Sequence, residues 1–157
     1  MTGAPVISLR PVGPDDLRLI CDQRHRVFEE AGRDAATLAA MAGPFEAWLA
    51  PLLADGRYFG FIAQSGSTPV GGIGLMELSW PPHPAHPVDA RRGYVLNVHV
   101  EADFRRRGIA RQMMDAAEQE FRRRGIGYMI LHATAQGVPL YAELGWRQTS
   151  EMGKALQ

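Results

Sequence analysis

The string Phe-Arg-Arg-Arg-Gly occurs twice in this chain of 157 residues, at positions 104–108 and again at positions 121–125. Between the two copies, apolar residues recur at helical spacing and charged residues occupy the opposite face, which is typical of an amphipathic helix. Apolar segments that resemble strands precede and follow this helix, at positions 94–100 and 127–133. A strand, a helix and a strand in this order predict an α/β fold with a mixed sheet.

The hydrophobic period predicts the elements that come before this unit. Residues 6–12 alternate between apolar and polar side chains and predict a strand, and residues 13–32 predict a helix. A second helical region covers residues 35–56 and is expected to break at Gly43 and Pro44. Two strands joined by the turn SGST then predict a hairpin.

The proline-rich segment 79–93 predicts an irregular loop, which is either functional or disordered. At the other end of the chain, residues 138–145 predict a short helix and residues 146–152 a last strand. The predicted order is β-α-α-β-β-β-α-β-α-β, in a single domain that covers residues 1–157.

Composition excludes several classes of protein. Seventeen basic and seventeen acidic residues give a formal net charge of zero, which argues against a dedicated nucleic-acid binder. The single cysteine, Cys21, allows no internal disulfide. The first residues lack the pattern of a secretory signal, and no stretch approaches the ~20 apolar residues of a membrane-spanning helix. We therefore expect a cytoplasmic protein with no membrane partner and no nucleic-acid partner.

The second copy of the string has the features of a helix end. Arg122, Arg123 and Arg124 fall in the last turn, where positive charge interacts favourably with the helix dipole. Gly125 follows, where a left-handed residue commonly ends a helix. We interpret this copy as a structural stop with a solvated charge run.

The first copy lies at the opposite helix end, where unpaired backbone amides and the positive end of the dipole favour an anion. Arg105, Arg106 and Arg107 surround this approach, and Gly108 leaves it free of side-chain bulk. The turn is either a pyrophosphate site or an incidental basic surface turn. It matches neither the P-loop nor the dinucleotide-binding glycine pattern.

The segment YVLNVHVEADFRRRGIARQMM resembles the acetyl-CoA motif of the GNAT superfamily of N-acetyltransferases, through Arg105-x-x-Gly108-x-Ala110. A second match follows in GIGYMILHATAQGVPLYAELGWR, which ends in Tyr141-x-x-x-Gly145 and an aromatic residue. The resemblance implies the GNAT fold, in which a bulged strand splays from its neighbour and opens a V-shaped slot for the cofactor.

The resemblance also implies an activity and a set of residues. Acetyl-CoA would be the co-substrate, Tyr141 would protonate the departing thiolate, and Thr134 stands where many members have Asn. The following residues would contact acetyl-CoA: Val98, Val100, Arg105, Arg106, Arg107, Gly108, Ile109, Ala110, Arg111, Thr134, Gly137 and Tyr141.

The general base departs from the family pattern. Members often carry Glu or His at positions that fall here on Tyr94 and Leu96, and neither side chain is a base at neutral pH. Glu77 and His99 are therefore candidate bases, and His132 or a water chain are alternatives. The strand position of His99 favours a satisfied or half-exposed histidine over a base. The missing base also keeps open a non-catalytic CoA-binding or sensing module.

The acceptor is expected to be a small-molecule or peptide amine, with Arg24, Phe28 and Trp80 as candidate contacts that the resemblance suggests. His83 and His86 lie among prolines, so no helix aligns them, and we expect no metal site. Many relatives form dimers, which implies a homodimer here.

Overall fold

The computed structural model describes residue 3 and residues 5–156. One five-stranded sheet has the order β1-β2-β3-β4-β5, which is also the order along the chain. The first four strands pair antiparallel, whereas β4 and β5 pair parallel. The strands are β1 (Ile7–Pro11), β2 (Phe59–Ser65), β3 (Thr68–Ser79), β4 (Arg91–Val100) and β5 (Met129–Leu131).

Helices cover both faces of the sheet. The helices are α1 (Leu17–Glu30), α2 (Ala35–Asp55), α3 (Ile109–Arg123) and α4 (Val138–Glu143). Neighbouring residues of β4 point to opposite faces, so Val95 packs in the core under α3 and Leu96 packs in the core under α1 and α2. This arrangement is a mixed α/β single domain, as the sequence predicts.

The predicted last strand, residues 146–152, is wrong. Gly145 ends α4 with φ of 89°, and the chain beyond it has no regular structure as far as residue 156. Trp146 is half-buried, but Met152 is 94% exposed and the residues between them are also exposed. A segment with alternating polarity that buries no face gains too little from packing to form a strand.

The predicted break at Gly43 and Pro44 is also wrong, because α2 continues through both Pro44 and Pro51. Its buried residues Phe45 and Leu49 pack against α1, and this packing offsets the missing backbone hydrogen bonds. By length and composition, α2 is long and apolar enough to cross a membrane, although part of it is buried in the protein. The expectation that no stretch of the chain is long and apolar enough for a membrane-spanning helix is therefore wrong.

The irregular proline-rich loop is shorter than predicted, because β3 extends to Ser79 and β4 begins at Arg91. Within the loop, His83 and His86 form a short antiparallel bridge. The buried Nε2 atom of His86 accepts a hydrogen bond from Arg92 Nε at 2.7 Å. These histidines therefore have a structural use. In residues 3 and 5–156, no group of three or more potential ligand side chains could hold a metal ion.

Candidate functional site

Strands β4 and β5 separate part-way along their length. Their pairing covers Gly93, Tyr94 and Val95, and β4 then continues to Val100. Asn97 has a φ of 54°, and two residues of β4 stand opposite Ile73, so the strand carries a bulge at this point. The splay between β4 and β5 that the sequence implied is confirmed.

The bulge resets the direction of the side chains in β4. Leu96 and Asn97 both point towards α1 and α2, where Asn97 hydrogen-bonds Arg24 and Tyr58. Beyond the bulge, Val98 and Val100 pack against the core under α3. The stretch from Val98 to Val100 is a strand edge that β5 does not cover, so an extended ligand can lie along it.

The turn before α3 has the shape of an anion-binding nest. Arg106 and Gly108 are both left-handed, with φ of 62° and 78°. Gly108 occupies the N-cap position and has no side chain, so no side chain caps the amides of the first turn of α3. A Cβ added to Gly108 would meet no atom within 4 Å. Free amides at the positive end of the helix dipole therefore face open space.

Arg105 and Arg107 of this turn make different contacts. Both carboxylate oxygens of Glu30 accept hydrogen bonds from Arg105 Nη2 at 2.7 Å, and Val100 O accepts one from Arg105 Nε at 2.9 Å. Arg105 thus ties the end of α1 to β4. Arg107 lies over the ring of Phe104. Sequence reasoning missed Glu30, because no local pattern links residues that lie 75 positions apart.

The opposite wall of the slot is formed by β5, α4 and the turn between them. Gly137 lies directly under Tyr141, since a Cβ on Gly137 would come within 2.9 Å of Tyr141 Cε2 and 3.5 Å of Thr134 Oγ1. Trp146 packs edge-on against the Tyr141 ring. Burial raises the pKa of the Tyr141 phenol above its ordinary value, so the hydroxyl keeps its proton at neutral pH.

The two walls enclose a cleft of about 1090 Å³. All of the residues expected to contact acetyl-CoA line it except Arg107, and Phe28 from α1 lines it as well. The structure therefore brings these predicted residues to one cleft, and their contact with acetyl-CoA stays a prediction. Arg111 and Glu143 of α4 also line the cleft, with 3.7 Å between Arg111 Nη2 and Glu143 Oε2.

The candidate bases occupy different places. Glu77 contacts Arg124 at 3.3 Å and Arg91 at 3.8 Å, at the opposite end of α3 from the nest, so the structure does not bring it to the cleft. His99 borders the cleft, but its Nε2 atom is buried and lies 3.5 Å from Glu101 Oε1. Burial lowers the pKa of His99, which keeps the ring neutral.

A third histidine has partners on both ring nitrogens. His132 borders the cleft just beyond β5, and its Nδ1 lies 3.2 Å from the hydroxyl of Tyr94 on β4. Its Nε2 contacts the carboxylate of Glu151. This chain of three groups links β4 to the residue that follows β5 and to the segment beyond α4. The sequence indicates His132 only as an alternative base, and Glu151 lies in the segment that it predicts as the last strand.

The candidate acceptor residues separate into two places. Arg24 of α1 lies beside the bulge, with its guanidinium 4.9 Å from the ring centre of Phe28. Trp80 instead stacks on Arg92 at 4.3 Å, at the start of the proline-rich loop. Trp80 is therefore not brought to the cleft, because β3 continues past the site before the loop begins.

The Acetyltransferase (GNAT) family model matches residues 20–146. The chain belongs to the GNAT acetyltransferase family. This GNAT protein resembles a GCN5-related N-acetyltransferase from Ralstonia eutropha JMP134, with 52% identity, a TM-score of 0.94, and coverage of 96% of this chain and 99% of that chain. The resemblance read from the Arg105-x-x-Gly108-x-Ala110 motif is thereby confirmed.

More distant structures share the fold of this GNAT protein. A predicted acetyltransferase from Clostridium acetobutylicum, solved with acetyl-CoA, has 22% identity and a TM-score of 0.85, with 96% of both chains covered. A ribosomal-protein-alanine N-acetyltransferase from Brucella melitensis has 18% identity and a TM-score of 0.67, with 97% of this chain and 99% of that chain covered. No curated protein matches the sequence.

Proposed function

We propose that this protein is an acetyl-CoA-dependent N-acetyltransferase that acetylates a primary amine of a small molecule or a peptide. The observation that carries the proposal is the continuity of one cleft. The amide nest at Arg106 and Gly108 opens onto the uncovered edge of β4, and the same cleft is bordered by Tyr141. An elongated ligand with an anionic end and a reactive end fits this layout.

The residues suit the parts of acetyl-CoA. The nest offers backbone amides to a diphosphate, and Arg106 and Arg111 add positive charge at the cleft. The main chain of Val98 and Val100 can pair with the amides of the pantetheine arm, as an added strand would. The open space at Gly108 supports this fit, since no side chain obstructs the approach.

Acetyl-CoA supplies the activated acetyl carbon. A C–N bond to the acceptor forms as the C–S bond breaks, so the amine must lose a proton and the thiolate must gain one. Tyr141 donates the second proton, because its raised pKa keeps the phenol neutral until the sulfur develops charge. Holding the amine at the splay of β4 and β5 supplies orientation, which by itself accelerates such reactions strongly.

We propose that His132 accepts the proton that the amine loses, with Tyr94 as the relay between them. The Tyr94 hydroxyl takes a proton from the amine as it gives its own proton to Nδ1 of His132, and Glu151 stabilises the resulting imidazolium. Burial raises the pKa of Tyr94, so Tyr94 relays the proton and does not hold a negative charge. His99 and Glu77 fit this role less well, given their positions.

The experiment is an amine screen that reports free thiol. Purified protein is mixed with acetyl-CoA and a panel of amino acids, peptides, polyamines and aminoglycosides, with an amine-free reaction as the control. We expect amine-dependent thiol release, matched by an N-acetylated product in mass spectrometry. If acetyl-CoA raises the melting temperature but no amine increases thiol release, the protein is a non-catalytic acetyl-CoA-binding module instead.

Cytoplasmic location, a homodimer, and the absence of membrane and nucleic-acid partners stay predictions from the sequence. Size-exclusion chromatography with light scattering tests the dimer. Because α2 is long and apolar, a liposome flotation assay tests the membrane prediction.

A further inference from the structure

Arg24 is a half-buried cation whose counter-ion is missing from the described part of the chain. Its guanidinium contacts two aromatic rings and lies 4.9 Å from the centre of Phe28 and 4.4 Å from that of Phe45. Its Nη1 donates a hydrogen bond to Asn97 Oδ1 at 2.7 Å, and its Nε is buried with no hydrogen-bond partner. In residues 3 and 5–156, no Asp or Glu forms an ion pair with it.

Arg24 has fewer partners than comparable arginines. The buried Arg92 also lacks a carboxylate, but its Nε donates a hydrogen bond to His86. Arg10, Arg26 and Arg105 are each paired with a carboxylate. Arg24 loses more hydration, and this burial lowers its pKa, yet a guanidinium stays charged at any physiological pH. Contacts with two aromatic rings and one hydrogen bond to a neutral amide oxygen compensate only partly for the lost hydration of the charge. The remaining donors, Nε and Nη2, form the edge that binds a carboxylate with two parallel hydrogen bonds.

The position of Arg24 relates this cation to the reaction. Its partner Asn97 is the left-handed residue of the β4 bulge and comes directly before Val98. Asn97 Nδ2 also donates to the Tyr58 hydroxyl at 3.0 Å, so the amide is held from two sides. Arg24 is therefore fixed at the point where β4 leaves β5, on the face of α1 and α2. The core under α3 lies on the other face of the sheet, whereas α1, which carries Arg24, borders the cleft through Phe28.

We propose that Arg24 binds a carboxylate of the acceptor, so that the preferred substrates are amines that carry a carboxylate, such as free amino acids. The inference rests on the proposed acetyltransferase function and narrows it. A carboxylate on Nε and Nη2 would satisfy the buried donor and neutralise the charge. Its amine would then lie near the splay, where Tyr94 also points towards α1 and α2.

The test uses matched acceptors and thiol release from acetyl-CoA. Each L-amino acid is compared with its amide and with the amine left after removal of the carboxyl group, and N-terminal Asp and Glu dipeptide amides form a separate arm. We expect kcat/KM to be about 10- to 100-fold higher for carboxylate-bearing acceptors, as for other hydrogen bonds to charged groups. The dipeptide arm tells whether the carboxylate belongs to a free amino acid or to an acidic side chain.

Two variants complete the test. Arg24→Gln should abolish the preference, which is measured within the same variant as the ratio of kcat/KM for each acid to kcat/KM for its own amide. Arg18→Gln, at an exposed arginine of the same helix, should keep the preference. Arg24→Lys retains the positive charge but loses the two parallel donors of the guanidinium. This variant should therefore keep only part of the preference for carboxylate-bearing acceptors. Melting curves with and without acetyl-CoA show which variants remain folded.

The outcomes separate the two claims. If amines are acetylated but the acid, the amide and the carboxyl-free amine react equally well, the Arg24 inference is overturned and the acetyltransferase function stands. A preference that survives in a folded Arg24→Gln protein overturns it in the same way. If acetyl-CoA binds and no amine reacts, both claims fail together.

Discussion

The two glycines that follow the arginine triplets provide a matched pair of mutations. Gly108 and Gly125 are both left-handed, with φ of 78° and 74°. A Cβ on Gly108 would meet nothing within 4 Å, and one on Gly125 would lie 3.7 Å from Arg91 Nη2, which is an ordinary contact. Each change to alanine therefore adds backbone strain without a clash. We expect each to destabilise the fold by about 1 kcal/mol, or about 2–4 °C in melting temperature.

The two variants should differ in the response to acetyl-CoA. At 100 times Kd, a ligand stabilises the folded protein by about 2.7 kcal/mol, and Gly125→Ala should keep this shift because position 125 is at the far end of α3. In Gly108→Ala the methyl group stands before the amide nest, so we expect binding to weaken about 10-fold or more. Thermal shift and calorimetric titration measure both effects. Equal acetyl-CoA affinities in the two variants would refute the assignment of the nest.

Three further changes test other parts of the structure. Tyr141→Phe should lower kcat about 100-fold with little change in acetyl-CoA affinity, and an unchanged kcat would remove Tyr141 as the acid. His132→Gln should lower kcat about 100-fold with little change in acetyl-CoA affinity, and an unchanged kcat would favour another base such as His99. Hydrogen bonds from Arg123 and then Arg124 lower the pKa of Glu120 to about 2. The stability that Glu120 contributes is thus present above the unfolded pKa, about 4.3, and lost as pH falls towards 2. Glu120→Gln should therefore destabilise the protein at pH 7 and make little difference near pH 2 in urea melts; an equal loss at both pH values would contradict this.

Local patterns predicted the centre of the fold well. The sequence predicts helix α3 because its apolar face has helical spacing and a glycine flanks each end. The structure places Met113 and Phe121 of this face in the core. The direction of the helix dipole distinguished the two identical strings: Gly108 begins the helix and Gly125 follows its end. Sequence alone could make this distinction because the cause is local.

Features that depend on distant contacts were missed. Pro44 breaks most helices, but packing of α2 on α1 overrides that tendency. The pairing of Arg105 with Glu30 joins residues that no periodicity connects. Asn97 gave a weak signal, since a polar residue that tolerates a left-handed conformation interrupts an apolar strand, and this signal could have located the bulge.

A crystal structure of the protein with CoA tests the central claim most directly. We expect the diphosphate oxygens to accept hydrogen bonds from the backbone amides of residues 106–111, and the pantetheine arm to lie along Val98 and Val100. Diphosphate bound at the second arginine triplet, or an amide nest left without contact to the ligand, would contradict the claim.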